Sequence, residues 1–399
     1  MLPTVTAVNA QPHRGSFALP LMVIAFGQLI SWGTLYYGIT FMAQPIQNST
    51  AWERKFIFMG YSLALLLSGL LLPWVGRLIQ RRGARFALTS GMLLASAGFF
   101  TIALAEGTVA YLVGWAINGV AMALALYETA FAALSELRQM PLRRAIGIVT
   151  IVGGMASTAF WPLTALLVEQ VGWRTTLIMF GTLHALVLAP MYWRLLPSLA
   201  QQAPTAPVAA ALPPPANAKR RLWLFSAAFG ALAFVSTGLV AHFTLIMAGV
   251  EQATLLFALA LIGPAQIAMR VIDIIAPAGR KIVALGLAST ITLAIASLLL
   301  LFSNAQAAMA IGVAILFGMG NGGMTIVRGM VPREYFSTQH YAVTLAALSR
   351  ATHLLRAFGP IAVAVGFTLV GVGGVLQLFV VLTLSAAALF YLGSRTIDG

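Results

Sequence analysis

The chain has 399 residues, no cysteine and a formal charge of +14, and 60% of it is hydrophobic while only 8% is charged. A soluble domain carries about 25% charged residues, so this composition excludes a water-solvated globular fold. The absence of cysteine also excludes disulfides and thiolate metal sites.

Apolar runs of about 20 residues, the length that crosses a bilayer as a helix, recur along the whole chain. Six are read before the middle: Ser16–Ala43, Lys55–Arg77, Phe86–Ala105, Val109–Leu134, Arg144–Val168 and Thr175–Trp193. The first is expected to stay as a signal anchor. Six more follow: Leu222–Ala248, Gln252–Ile272, Ile282–Phe302, Gln306–Gly329, Tyr341–Thr368 and Val375–Leu392. Between the sets lies Pro197–Arg221, rich in proline and alanine and without apolar periodicity, which reads as a semi-extended linker. The expected architecture is an all-α integral membrane protein of twelve transmembrane helices in two pseudo-symmetric six-helix bundles. Residues 1–196 form the first, 197–221 a cytoplasmic linker and 222–399 the second.

Charge placement argues against nucleic acid as the reason for the positive balance. With the N-terminus inside, 17 of the 23 basic residues fall on the cytoplasmic side. Only Arg54, Lys55 and Arg174 fall outside, and Arg328, Arg350 and Arg356 lie within spans. This is the positive-inside pattern, and it predicts cytoplasmic N- and C-termini.

The halves echo each other. "AFGQL" at Ala25 returns as "AFGAL" at Ala228, and "GRLIQRRGAR" after span two has a faint partner in "MRVIDIIAPAGRK" after span eight. Aligning Arg77 with Arg270 sets Gln80 opposite Asp273. Paired matches straddling a central linker favour a six-plus-six repeat.

Gly76–Arg85 resembles the cytoplasmic loop signature of the major facilitator superfamily, G-x-L-x-D-R-x-G-R-R/K, through Gly76, Leu78, Arg81, Gly83 and Arg85. Gln80 replaces the acid and Ala84 a base, which puts the usual charge relay of this loop in doubt. Glu136 stands where the family often carries an acid that pairs with the loop. "YETAFAAL" (Tyr127–Leu134) and "GNGGMTIVRG" (Gly320–Gly329) look like bacterial members distantly similar to monocarboxylate transporters. The resemblance implies a monomeric secondary transporter of the bacterial inner membrane, without cofactor, whose two bundles rock about a central site. Gly76, Arg81, Gly83, Arg85, Glu136 and Asp273 would form its cytoplasmic gating loops.

Polar residues inside spans are expensive unless they face protein or water. Gln28, Trp32 and Tyr36 share a stripe on span one, Asn118 and Glu128 lie along span four, and Trp161 sits on span five. His242 lies in span seven, Asn321 and Arg328 in span ten, and Arg350, His353 and Arg356 in span eleven. Small and hydroxyl residues in such stripes read first as interhelical glue, and a buried histidine reads first as a satisfied hydrogen-bonding residue. The charged members do not. Glu128 is the one acid of nine placed inside a span. It is the candidate proton-coupling group, with Arg328 as the alternative structural partner. One buried acid does not balance three guanidiniums that keep their protons. Either they snorkel to the inner interface, Arg328 first among them, or something anionic supplies the remainder, which leans the expected substrate toward an organic anion. The substrate-binding set is therefore Gln28, Trp32, Tyr36, Asn118, Trp161, His242, Asn321, Arg328, Arg350, His353 and Arg356.

No H-E-x-x-H, phosphate-binding G-x-x-x-x-G-K-[ST] or Cys/His ligand pattern occurs, so neither an enzyme nor a metal site is expected. The function expected is a proton-coupled symporter of a small organic anion. Its rivals are a proton-driven exporter of lipophilic compounds and a non-transporting receptor on the same scaffold. Trp161 before Pro162, where such exporters often carry glycine, counts against the first rival. The short tail "GSRTIDG" after Leu392 counts against the second.

Overall fold

The computed structural model describes residues 18–137, 140–198, 217–277, 279–302, 306–336 and 340–395. Most of the linker, residues 199–216, lies outside them. Every regular element among the described residues is helical. Among the described residues, nine helices are long and apolar enough to cross a membrane: α1 Ala18–Thr50, α2 Arg54–Ala103, α3 Thr108–Glu136, α4 Leu142–Leu195, α5 Ala218–Ile246, α6 Gln252–Ile275, α7 Ile282–Leu301, α8 Ala307–Tyr335 and α9 Tyr341–Ser394. Large apolar side chains such as Leu186, Ile291 and Leu369 stand exposed on the outside. A lipid solvent accommodates that surface, whereas water does not.

Three of these helices, α2, α4 and α9, contain 50, 54 and 54 residues. At 1.5 Å per residue each exceeds about 75 Å, more than twice the roughly 30 Å hydrocarbon thickness. Each contains one glycine with non-helical backbone, Gly83 (φ 80°, ψ 159°), Gly172 (φ 77°, ψ 163°) and Gly371 (φ 71°, ψ 175°), and α4 is interrupted again at Met155. The backbone region of the three glycines is essentially open to glycine alone.

Contacts along neighbouring helices give the direction of each limb. Tyr111 donates to the Ile57 carbonyl (3.0 Å), Gly60 faces Trp115 and Gly119 faces Ala64, so the first limb of α2 runs parallel to α3. Gly114 meets Ile102, Asn118 meets Gly98 and Leu124 meets Gly91, so the second limb runs back against it. α9 does the same beside α5. Gly230 and Gly238 meet Ala351 and Val363 in one sense, while Phe225 and Gly238 meet Gly393 and Phe379 in the other. The glycine breaks in α2 and α9 are therefore reversals.

Glycine also lets helices touch at backbone distance, as at Gly119 on Ala64 and Gly322 on Gln266. Two π-helical turns interrupt the regular pattern, Trp32–Tyr37 in α1 and His184–Leu188 in α4. They meet where Thr34 Oγ1 lies 2.8 Å from His184 Nε2. Because the Thr34 hydroxyl donates to the Ile30 carbonyl (2.9 Å), the histidine is the donor to Thr34.

One end of the molecule gathers most of the basic residues. There Arg85 reaches the Leu196 carbonyl, while Arg221 donates to the Arg395 carbonyl (3.1 Å) and lies over the Tyr335 ring.

Candidate functional site

α3 is not continuous. It breaks at Leu126 (φ −85°, ψ −166°), so that Tyr127–Glu136 is a second short helix. The break frees the Ala125 carbonyl, which accepts from Gln28 Nε2 at 2.6 Å, and Thr129 Oγ1 donates to the Ala123 carbonyl at 3.1 Å. Irregular backbone at membrane depth survives only where protein satisfies it in this way. Glu128 occupies the first turn of the new helix, where the positive end of the helix dipole favours a carboxylate.

Glu128 is buried, and two residues from the other half of the chain converge on its Oε1. Arg328 Nη2 of α8 stands 3.3 Å away, and His353 Nε2 of α9 stands 3.2 Å away. His353 Nδ1 in turn lies 3.4 Å from Ser68 Oγ on α2. Ser68 spends its hydrogen on the Leu65 carbonyl (2.8 Å), so it can only accept from the ring. Nδ1 therefore carries a hydrogen. The contact between Nε2 and Glu128 then needs one further proton, held by the imidazole or by the carboxyl.

Beside the pair lies a narrow crevice with room for only about one water, lined by Trp32, Tyr36, Leu65, Ser68, Leu126, His353 and Arg356. Trp32 packs on Tyr36 and Tyr127 with centroids 5.0 and 4.8 Å apart, and Tyr36 edges onto Tyr37 and Tyr61. The indole nitrogen of Trp32 is buried without a partner. Arg356 is half-buried and makes no hydrogen bond or ion pair among the described residues. The crevice thus holds donors in excess of acceptors.

Several residues proposed from sequence stand elsewhere. Arg350 is exposed on α9, away from the crevice. Asn118 is fully buried against Gly98 inside the first half. His242 Nε2 donates to the Pro360 carbonyl (2.9 Å), and Asn321 bridges Ser236 and the Phe317 carbonyl (2.8 and 2.9 Å), so both tie the second half together internally. Trp161 is exposed and edges onto Tyr37 and Phe41. Gln28 supports the helix break instead of lining the crevice.

Arg270 escaped the sequence reading, which treated it as a loop residue. It is buried, with Nη1 on the Thr150 carbonyl (2.5 Å), Nη2 on Gln266 Oε1 (3.2 Å) and Nε unpaired. Its place one helical turn before Asp273 on α6 was the available signal. Ser68 gave no signal beyond a small residue next to Gly69.

A second joint between the halves lies at the basic end. Arg143 grips Asp273 with Nε on Oδ2 (2.9 Å) and Nη2 on Oδ1 (2.5 Å), and Arg143 Nη1 donates to the Arg280 carbonyl (2.7 Å). Arg280 adds a longer contact to Asp273 at 3.4 Å. Nearby, Gly76 packs on Ala342 and Ala346, Gly147 on Ile274, and Gly329 on Ile146 and Phe131. Around the Gly83 turn, the Ala84 N–H donates to Glu136 (3.1 and 3.4 Å to its two oxygens), Arg85 lies over Trp193, and Arg81 is exposed. These contacts close the basic end.

The described residues thus form helices long and apolar enough to span a membrane, with a buried charged joint between residues of the two halves of the chain. The sequence profile of the Major Facilitator Superfamily matches residues 21–360, and the chain belongs to that superfamily of transporters. Comparison with curated protein sequences gave no match. Among solved structures, the fold resembles the human organic anion transporter MFSD10 (TETRAN), with a TM-score of 0.65 and 17% identity over 94% of this chain and 97% of that one. It also resembles the superfamily transporter FucP in its outward conformation, with a TM-score of 0.69 and 10% identity over 94% of this chain and 99% of that one.

Proposed function

We propose that this secondary transporter is a proton-coupled carrier of a small organic anion, working as a monomer in the bacterial inner membrane. The observation that carries the reading is Arg356. It lines the central crevice without an acceptor, beside a Glu128–His353 pair built to share a proton. A half-buried guanidinium keeps its charge, and a carboxylate bound to it offsets the partial desolvation that makes it costly. The aromatic wall of Trp32 and Tyr36 suits an apolar body on that anion. The likeness to an organic anion transporter agrees with this, although at 17% identity it supports the fold alone.

The twelve-span count belongs to this proposal. Nine long helices, three of them interrupted by a glycine that ordinary residues cannot replace, support twelve crossings. They group as two bundles, residues 1–196 and 222–399, joined by the 197–221 linker. The basic end is read as cytoplasmic, with both termini there. Closure of that end then makes this an outward-facing or occluded state.

In this cycle, protonation of the Glu128–His353 pair weakens its hold on Arg328 and loosens the joint between halves. Substrate at Arg356 supplies the negative charge that lets the joint re-form. The deciding experiment is uptake by proteoliposomes under an imposed pH gradient, with carboxylates and their neutral amides as substrates. Gradient-driven accumulation of a carboxylate but not its amide supports the reading. Accumulation of neutral or cationic compounds alone overturns it in favour of the lipophilic exporter.

A further inference from the structure

Away from the central site, a groove of about 560 Å³ opens on the outer surface between the second limb of α2 and the second limb of α4. Phe86, Thr89 and Leu93 form one wall, and Leu186, Pro190 and Trp193 the other. The two limbs run antiparallel, so Phe86 and Trp193 sit at the basic end while Leu93 and Leu186 sit deeper. Seven residues from Phe86 to Leu93 make the groove about 10 Å long.

Two features distinguish it from bare lipid-facing surface. The π-helical turn His184–Leu188 widens α4 where Leu186 lines the deep end, and such turns gather at functional places. The Thr89 hydroxyl is buried in the wall with no partner.

The mouth is cationic and aromatic. Arg82 lies 5.0 Å over Phe86, and Arg85 lies 4.5 Å over Trp193, so both guanidiniums sit on the lining rings. Arg194, next along the chain from Trp193, is exposed. Arg82 and Arg194 make no hydrogen bond or ion pair among the described residues. None of the lining residues is acidic. An apolar slot about half an acyl chain deep, roofed by tryptophan and three arginines, is complementary to a lipid whose head group is negative.

We propose that this groove binds one anionic phospholipid from the leaflet at the basic end. An acyl chain lies along Leu93 and Leu186, and the phosphate sits among Arg82, Arg85 and Arg194. Juxtamembrane arginines attract anionic lipid by about 1 kcal/mol each, or roughly fivefold per residue.

The test is native mass spectrometry of the purified full chain, released from nanodiscs of equal phosphatidylglycerol and phosphatidylcholine. The wild type should retain one phosphatidylglycerol at least tenfold more often than phosphatidylcholine. Arg82→Gln with Arg194→Gln should lower the preference to about the fivefold that Arg85 alone supplies, and Ala185→Trp should cut retention of both by filling the groove. Thermal shift of the delipidated wild type gives an arm independent of folding variants. Phosphatidylglycerol should raise Tm, while soluble glycerol 3-phosphate should not. Equal retention of both lipids by the wild type overturns the proposal. So does unchanged selectivity in the double variant, or stabilisation by glycerol 3-phosphate matching that of the lipid.

Discussion

Two charged joints hold the halves of this transporter together, and they differ in what can be done to them. At the basic end, Asp273 meets Arg143 and Arg280, three groups with no histidine among them. An arginine keeps its proton, so that joint has no imidazole to carry one. At the centre, Glu128 meets Arg328 and His353, and on the proposed reading the imidazole and the carboxylate hold the proton that moves. The position differs as well. Asp273 lies two residues from the end of α6, whereas Glu128 lies eight residues, about 12 Å, inside α3. On the proposed reading the outer joint is a latch, and the inner one is a switch.

The comparison is broken most severely at the switch. Glu128→Gln keeps the shape and removes the charge, so Arg328 and His353 lose their shared partner. Accumulation driven by a pH gradient should fall to the level seen without one, while substrate counterflow between equal solutions persists. Both are measured in the same proteoliposomes. A variant that still accumulates substrate with unchanged pH dependence would make Glu128 a structural residue and the two joints alike.

Next in size is the cation beside the switch. Arg356→Gln removes a charge-assisted hydrogen bond worth about 1.5–3 kcal/mol, or roughly ten- to a hundredfold in affinity. Binding of a carboxylate should weaken by that factor, and binding of its neutral amide should barely change, as read by calorimetry. Equal losses for both would mean that Arg356 shapes the crevice without reading charge.

How much of this was legible in the sequence follows from the same residues. Glu128 and Arg328 were visible because charges are rare inside apolar runs, and their scarcity marks them without any geometry. His353 was visible on α9 for the same reason, but of its two partners only Glu128 was, because Ser68 looks like any small packing residue. Arg270 was hidden by its nearness to a span end, where a basic residue reads as an interfacial anchor. The helix break at Leu126 leaves no glycine or proline in the sequence to announce it. Asn118, His242 and Asn321 shared apolar faces with functional residues, but periodicity does not say which side of a bundle a stripe faces. The membrane class and family came from composition and one loop motif, since both depend on many residues at once.

The latch gives a smaller effect. Asp273→Asn leaves Arg143 its bond to the Arg280 carbonyl but removes the ionic grip. Asparagine still offers a neutral acceptor, so the loss is the difference between a charged and a neutral hydrogen bond, about 1 kcal/mol. That shifts an equilibrium roughly fivefold, here toward opening of the basic end. The native chain has no cysteine, so Ile274→Cys, between the halves at Gly147, reports that opening cleanly. Labelling by an impermeant thiol reagent in inside-out vesicles should quicken about fivefold in the Asp273→Asn background. An unchanged rate would show that glycine-mediated packing, and not the ion pair, closes this end.

The smallest effect is expected at Arg350, which separates composition from geometry. By charge alone it belongs with Arg328 and Arg356, all three lying within apolar runs. By position it does not, because it is exposed on α9 while Ser349 and His353 on the same helix are buried. Exposed residues away from caps, cores and ion-pair networks change stability by about 0.5 kcal/mol or less when substituted. A long arginine also keeps its head group in polar surroundings by extending along the helix toward the interface. Arg350→Gln should therefore leave carboxylate affinity within about twofold of the wild type, under conditions where Arg356→Gln loses ten- to a hundredfold. The two variants are measured side by side by calorimetry with one carboxylate. If Arg350→Gln weakens binding as much as Arg356→Gln, the anion meets a guanidinium that this conformation turns outward. The substrate pathway would then run along the outer face of α9 and not through the crevice beside Glu128.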